Sequence, residues 1–208
     1  MALIHRTTLK PTKVELLAGW LPTRPWYRGP AAPELVKAGG FRLDDPEGEV
    51  GIEFMIVTAG ADAYLVPLTY RGAPLDGAEH ALLGTIEHGV LGTRWAYDGC
   101  HDPVLTAGLA ALIEGRAAAQ AQSITDTPDR EVARGYAAAG PLPGLGAPVD
   151  TDESTEFAVT DEDLVLRLRR VLTPGSLPPA DAAGYVTGAW QQPDGTRTRA
   201  LFAALEPR

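Results

Sequence analysis

"EDLVLRLRRVL", Glu162–Leu172, carries the alternation that decides the fold. Leu164, Leu166 and Leu168 fall on one side of an extended chain, and Val165, Arg167 and Arg169 on the other. Period-two alternation of this kind argues for a strand with one covered face. Upstream, "TEFAV" (Thr155–Val159) has strand composition, and Asp161-Glu162 supplies a turn between the two. Downstream, "AGYVTGAWQQPDGTRTRALFAAL" (Ala183–Leu205) reads as a second hairpin, turning at Gln192-Pro193-Asp194-Gly195. The end of the chain is therefore a small antiparallel β segment.

The first half repeats the theme. "FRLDDPEGEVGIEFMIV" (Phe41–Val57) reads as a hairpin with Asp45-Pro46-Glu47-Gly48 at its turn, after which Val50, Ile52, Phe54 and Ile56 share a face. "AYLVPLTYRG" (Ala63–Gly72) is another strand, and Pro67 argues against a central place, because proline cannot donate to both ladders. "TKVELLAGW" (Thr12–Trp20) has mixed periodicity and suits strand or short helix. "HALLGTIEHGVLGTRWAYDG" (His80–Gly99) reads as a short helix or turn, then a strand from Thr93 to Tyr97. The clearest helix follows: Asp102 caps it, Pro103 suits its first turn, and Leu105, Leu109, Leu112 and Ile113 form its apolar face. It is expected to run to about Gln122. Residues 123–152 are rich in breakers and read as a linker, with a short helix at Asp129–Ala138. The expected class is α+β: an antiparallel sheet packed by a helix over 1–122, the linker over 123–152, and the second β segment over 153–208.

Composition narrows the partners. The chain has 208 residues, 45% of them hydrophobic, enough for a real core. A formal net charge of -9 argues against nucleic acid, which wants a basic surface. No run of ~18 apolar residues offers a membrane span, and "MALIHRTTLKPTKVELL" lacks the apolar core and cleavage site of a secretory signal. The lone cysteine, Cys100, has no partner for an internal disulfide. A cytoplasmic protein is expected.

Several residues invite a chemical reading. "DGCHD" (Asp98–Asp102) sets Cys100, His101 and two aspartates side by side, which invites the reading of a metal-dependent hydrolase. It lacks the usual metal-ligand spacings, while Asp98-Gly99 is turn chemistry and Asp102 a helix cap, so no metal site is assigned. His80 and His88 stand too far apart for one metal without a third ligand. "GPLPGLGAP" (Gly140–Pro148) lacks the strand and helix that flank a phosphate loop. Trp26, Tyr27, Trp95 and Tyr97 suit packing more readily than sugar stacking. The acidic run Asp150–Glu156 reads as a solvated stretch before a strand.

The order of the pieces resembles the N-terminal cap of actinobacterial maltokinases over roughly residues 10–122. The entry Leu21-Pro22 with Trp26-Tyr27, the strand motif Val66-Pro67-Leu68, and the helix start formed by Asp98, Asp102 and Pro103 carry the likeness. Past the linker, the Thr155–Gly175 stretch with its Thr173-Pro174-Gly175 ending is similar to part of the kinase small lobe. That alignment places Arg167 where those kinases have a nucleotide-facing lysine, and makes Arg167 the one candidate for a phosphate contact. His88-Gly89 is followed by Val90 where the kinase catalytic loop has an aspartate, and the stretch after Arg167 is too short for a helical large lobe. With no base and no Mg²⁺ carboxylates, phosphoryl transfer is not expected, and no catalytic residue is assigned.

The resemblance implies a non-catalytic binding or regulatory protein near trehalose, maltose and α-glucan metabolism, without a cofactor. The alternative is a nucleotide-binding component that uses ATP and Mg²⁺ and completes a sugar kinase with a partner chain. A sugar or nucleotide ligand fits either. A homodimer or partner protein is expected against a face bearing Val165, Val186 and Trp190 beside Arg167 and Arg169, a mixture typical of interfaces. Otherwise residues 123–152 fold back and supply the cover.

Overall fold

The computed structural model describes residues 9–122, 124, 126–138 and 140–208. The first half holds β1 (Leu9–Lys10), α1 (Lys13–Trp20), β2 (Leu35–Leu43), β3 (Gly51–Ala59), β4 (Asp62–Arg71), β5 (Leu82–His88), β6 (Gly92–Asp98) and α2 (Pro103–Glu114). The second holds β7 (Gln120–Ala121), β8 (Ala133–Tyr136), β9 (Leu145–Asp150), β10 (Ser154–Val159), β11 (Leu164–Arg169), β12 (Val171–Leu172), β13 (Gly184–Gln191) and β14 (Arg197–Pro207). All described strand pairings are antiparallel, and the class is α+β as expected.

The hairpin turns fall where their residues demand. Gly48 N–H donates to Asp45 O at 3.0 Å, with Gly48 at φ 75°. Gly195 N–H donates to Gln192 O at 2.9 Å, with φ 86°. Both positions need the left-handed region that glycine enters without strain. Asp45 adds a side-chain clamp, accepting from the N–H groups of Glu47, Glu49 and Val50.

Local competition settles the ambiguous stretches. Residues 13–20 are helical because Thr12 and Glu15 close a reciprocal capping box. Residues 82–98 form a hairpin, not a short helix followed by one strand, since β5 pairs along β6 from Leu82↔Tyr97 to His88↔Gly92. Helix α2 starts at its Asp102 cap but ends at Glu114, short of Gln122. Gly115 takes φ 84° and the N–H groups of Gly115 and Arg116 return to Leu112 O and Ala111 O, a left-handed stop.

Residues 123–152 are not a structureless linker, and 129–138 is not a helix. The exposed flank of β13 recruits Ala133–Tyr136 as β8, in register from Thr187↔Ala133 to Gly184↔Tyr136. Glycine at 135 lets the Tyr185 ring lie over the strand, since a Cβ there would stand 2.4 Å from it. Leu145–Asp150 becomes β9 beside β10.

The sheet runs β1-β5-β6-β4-β3-β2-β13-β14-β11-β10-β9. It also curls onto itself. Beyond Arg170 the β11 chain continues as β12, which pairs with β4 through Val171↔Tyr64 and Leu172↔Ala63. The pairings β4-β3-β2-β13-β14-β11/β12-β4 thus close a ring, and closure removes the open edges that a flat sheet would leave there. Pro67 sits within this ring because it needs no second ladder: β12 flanks β4 at residues 63–64 and β6 flanks it at 68–71.

One apolar core fills the ring. Phe41 and Phe54 stack at 4.5 Å, and Phe41 faces Phe202 of β14 at 6.3 Å, so residues from both halves share it. Leu105, Leu109, Leu112 and Ile113 of α2 pack into the same core. Each such large side chain contributes roughly 1.5–3 kcal/mol on burial. Leu166 and Leu168 point inward as their alternation implies. Val186 and Trp190 also point into this core, at 1% exposure each, and are not on the Arg167 face. The register shift between Val186 and Thr187 changes which side chains face in. Val132, Tyr136, Leu142 and Leu145 pack against this core, on the side away from Arg167. A second cluster, Leu17, Trp20, Leu21 and Trp26 against Met55, Val57, Tyr64 and Val66, fastens α1 to the other face of β3 and β4.

Candidate functional site

Arg167 lies in β11, opposite Glu156 of β10 and Ala204 of β14. Its Nε donates to Glu156 Oε1 at 2.8 Å and its Nη1 to Glu206 Oε2 at 2.6 Å. Arg169 Nη2 reaches the other Glu206 oxygen at 3.1 Å. The hydrogen bond that Arg167 donates to Glu156 is the main cause that holds it more firmly charged than a free arginine. Two cations and two carboxylates make this patch neutral. A phosphate entering here would have to displace one carboxylate and face the other.

The neighbouring Arg170 was not singled out in the sequence, and it is the arginine that the fold buries. It is fully covered, with Nη2 on both Asp98 oxygens at 2.8 and 2.6 Å and Nε on Thr155 Oγ1 at 2.7 Å. Its guanidinium stands 5.0 Å over the Trp26 ring. Its main chain accepts from Leu65 N at 3.0 Å and donates to Glu153 O at 2.8 Å. Burial works against its charge, but Asp98 outweighs burial and the net shift is upward. Among the described residues its Nη1 has no hydrogen-bond acceptor. The signal was present in the alternation: counting on by two from Leu164, Leu166 and Leu168 reaches Arg170, a charge on the core face, which requires a buried partner.

The tempting side chains of 98–102 are each engaged locally. Asp98 also caps the turn at Gly99–His101, accepting from Cys100 N. Cys100 is buried, and burial pushes its thiol pKa well up, which opposes thiolate chemistry. Asp102 caps α2 through Val104 N at 3.0 Å and holds Arg71 by two 2.7 Å bonds. His101 meets His80, not His88: His80 Nε2 and His101 Nδ1 are 3.0 Å apart, with rings at 88°. His88 Nδ1 instead accepts from Val90 N and Leu91 N at its own turn. Among the described residues no group of three or more His, Cys, Asp or Glu is placed to hold a metal ion.

The other sequence candidates also have structural places. Trp26 and Tyr97 are buried, and Tyr97 Oη accepts from Leu75 N at 2.9 Å. Trp95 packs beside Tyr97, and Tyr27 packs on Tyr64 at 5.2 Å. Gly144, in the middle of the glycine-rich stretch, accepts from Thr160 with its carbonyl. Asp150 accepts from Thr155 Oγ1. A further buried acid, Glu53, takes Tyr70 Oη at 2.8 Å and Gln122 Nε2 at 3.0 Å, with Lys13 on the same carboxylate. Burial raises its pKa, but Lys13 and Lys37 reverse the sign and hold it below the usual range.

An open cleft of about 490 Å³ lies where β2 and β13 part company. These strands meet at a single pair, Trp190↔Gly39. A Cβ on Gly39 would stand 3.1 Å from Trp190 Cβ, so glycine permits the approach. Beyond this point Glu34, Val36, Lys37 and Thr58 line one wall and Gln191 and Gln192 the other. Among the described residues, the β2 edge facing β13 pairs only at Gly39, Phe41 and Arg42, so Leu35–Ala38 offers unpaired main chain to the cleft.

Residues 20–102 match the sequence model of the maltokinase N-terminal cap domain. The matched span begins at the last residue of α1, holds β2 to β6, and ends at the cap residue of α2. Its limits fall within the stretch where Leu21-Pro22, Val66-Pro67-Leu68 and Asp102-Pro103 carried the resemblance. This part of the chain is similar to the maltokinase N-terminal cap domain.

Proposed function

We propose that this cap-related protein acts by binding or regulation, not by phosphoryl transfer, in maltose, trehalose or α-glucan metabolism in the cytoplasm of an actinobacterium. The observation that carries the reading is the engagement of Arg167 by Glu156 and Glu206. Arg167, which the resemblance sets opposite the kinase lysine, has its charge balanced within its own sheet by Glu156 and Glu206, and this supports the reading. Phosphoryl transfer further needs carboxylates that position a hydroxyl and hold Mg²⁺. His88-Gly89-Val90 supports the same reading, since it forms a turn with Val90 exposed. The metabolic setting rests on the cap match.

The test is a sugar-dependent ADP-release assay on the pure protein with ATP, Mg²⁺ and maltose, glucose or glucosamine. The expected result is no release above background. Release that depends on sugar overturns the reading. A strong ATP-Mg²⁺ thermal stabilisation that Arg167→Ala abolishes favours the nucleotide-binding alternative.

A further inference from the structure

We propose that the cleft between β2 and β13 takes an extended peptide segment of a partner protein as an added strand on β2. The segment sets an aliphatic residue and a lysine or arginine two positions apart. The inference names the kind of partner behind the proposed binding role and rests on that reading.

The main chain makes the first part of the case. Leu35–Lys37 pairs with β3 on one side, and among the described residues no strand pairs it on the other. Trp190↔Gly39 marks where β13 leaves β2, so the free edge begins at a defined point. A row of unpaired N–H and C=O groups is a template for another strand. The outer strand β9 is blunted as a template by Pro148 and by a register shift against β10. Leu35–Lys37 has no proline and keeps an unbroken register with Ala59–Val57.

The side chains set which segment fits. Glu34, Val36 and Ala38 line the cleft at the period of two that one strand face requires. The lining is largely apolar, with Val36 63% exposed and Pro193 on the facing turn. An aliphatic side chain on the incoming strand beside Val36 takes both out of water. Two positions on, the same face meets Glu34, which has no ion-pair partner among the described residues. The ammonium of Lys37 is drawn to within 3.8 Å of Glu53 and does not answer it. The uncompensated charge of the cleft is therefore negative, as is that of the whole chain at a formal -9, and both favour a cation on the incoming segment. Gln191 and Gln192 on the facing wall offer carboxamides that donate to and accept from peptide groups.

The probes are acetylated, amidated peptides Thr-X-Thr-Z-Thr, with valine, isoleucine or leucine at X and lysine or arginine at Z. They are titrated into the full chain by calorimetry, and amide hydrogen exchange maps the site. The expected result is binding that slows exchange at Leu35–Lys37. It should weaken about tenfold when one alternate set of peptide nitrogens is methylated, and less when the other set is. It should fall about threefold in Glu34→Gln, with a similar loss at high salt. Val36→Ser should weaken it as well, and the remote Arg167→Ala should leave it unchanged, with melting curves to confirm folding of each variant. No binding by any of these peptides at millimolar concentration overturns the proposal. So does equal binding of both methylated forms, protection that maps elsewhere, or affinity that survives both Glu34→Gln and Val36→Ser. Self-association at micromolar concentration that protects Leu35–Lys37 without peptide also overturns it, because the occupant is then a second copy. Failure here with no ADP release in the kinase assay removes the cleft alone. Sugar-dependent ADP release removes the non-catalytic reading whatever the cleft does.

Discussion

The ring of strands closes at two seams between the halves of the chain, and the seams are built in opposite ways. At the β4–β12 seam, two residue pairs are reinforced by a fully buried arginine that ties Asp98 of β6 to Thr155 of β10. At the β2–β13 seam, one residue pair suffices, no side-chain ion pair crosses it among the described residues, and the strands diverge into an open cleft. A seam locked by a desolvated charge tolerates little adjustment, because every misfit leaves that charge unpaired. A seam held by one contact leaves strand edges free for a ligand. Stability and accessibility are divided between two sides of one ring.

The strongest way to break the contrast is at Arg170. Arg170→Met leaves Asp98 buried without its cation and is expected to cost about 3–5 kcal/mol, read as a large fall in urea midpoint. Arg170→Lys should not restore it, since a single ammonium cannot span both Asp98 oxygens and Thr155. Retention of the wild-type midpoint in both variants would mean that the seam is not locked by this pair.

A smaller effect is expected at the open seam. Gly39→Ala forces Trp190 back by a few tenths of an ångström and should cost on the order of 1 kcal/mol, with the cleft altered and the fold kept. Smaller again is Arg167→Ala, at about 0–1 kcal/mol, because its ion pairs are partly exposed and screened by salt. The Arg167 contribution should shrink between low and high ionic strength, whereas that of Arg170 should persist.

The mildest test is of pH. Burial is the first cause that lowers the His101 pKa, with His80 and Arg170 adding to it and Asp98 and Asp150 opposing. The unfolded imidazole takes up its proton near the ordinary value of about 6.5, and the folded one at lower pH. The unfolded state therefore binds more protons as pH falls below that value, and folding stability declines until the folded group has also titrated. His101→Gln should flatten this slope in denaturation curves collected between pH 7 and 5.

What could be read from sequence was local. Asp45-Gly48, Asp161-Glu162 and Gln192-Gly195 each carry their turn chemistry in adjacent residues, and Asp102-Pro103 carries a helix start. The cap-like region was legible for the same reason, because its motifs lie in a fixed order along the chain. Partner choice was not local. The β12–β4 pairing joins residues more than a hundred positions apart, and Ala133–Tyr136 becomes a strand because β13 offers an edge. The three arginines at 167, 169 and 170 have the same chemistry in sequence. Only the Asp98 carboxylate, brought in by the fold, makes one of them structural. The cleft had no signature at all, since its walls come from Glu34–Lys37 and Gln191–Gln192.

Ring closure also orders events in time. The Phe41 side of β2 and β3 is covered by α2 alone until Phe202 and Trp190 are available, and those residues come about 75 or more positions after α2. On a ribosome delivering roughly 5–20 residues per second, the cap-like strands emerge seconds before their partners. During that interval they expose apolar surface and unpaired edges, the conditions that favour aggregation and chaperone capture. Pairings of such long sequence separation also slow folding. A fragment ending at residue 122 should therefore be recovered mainly as aggregate, and adding residues 123–208 in trans during refolding should rescue it.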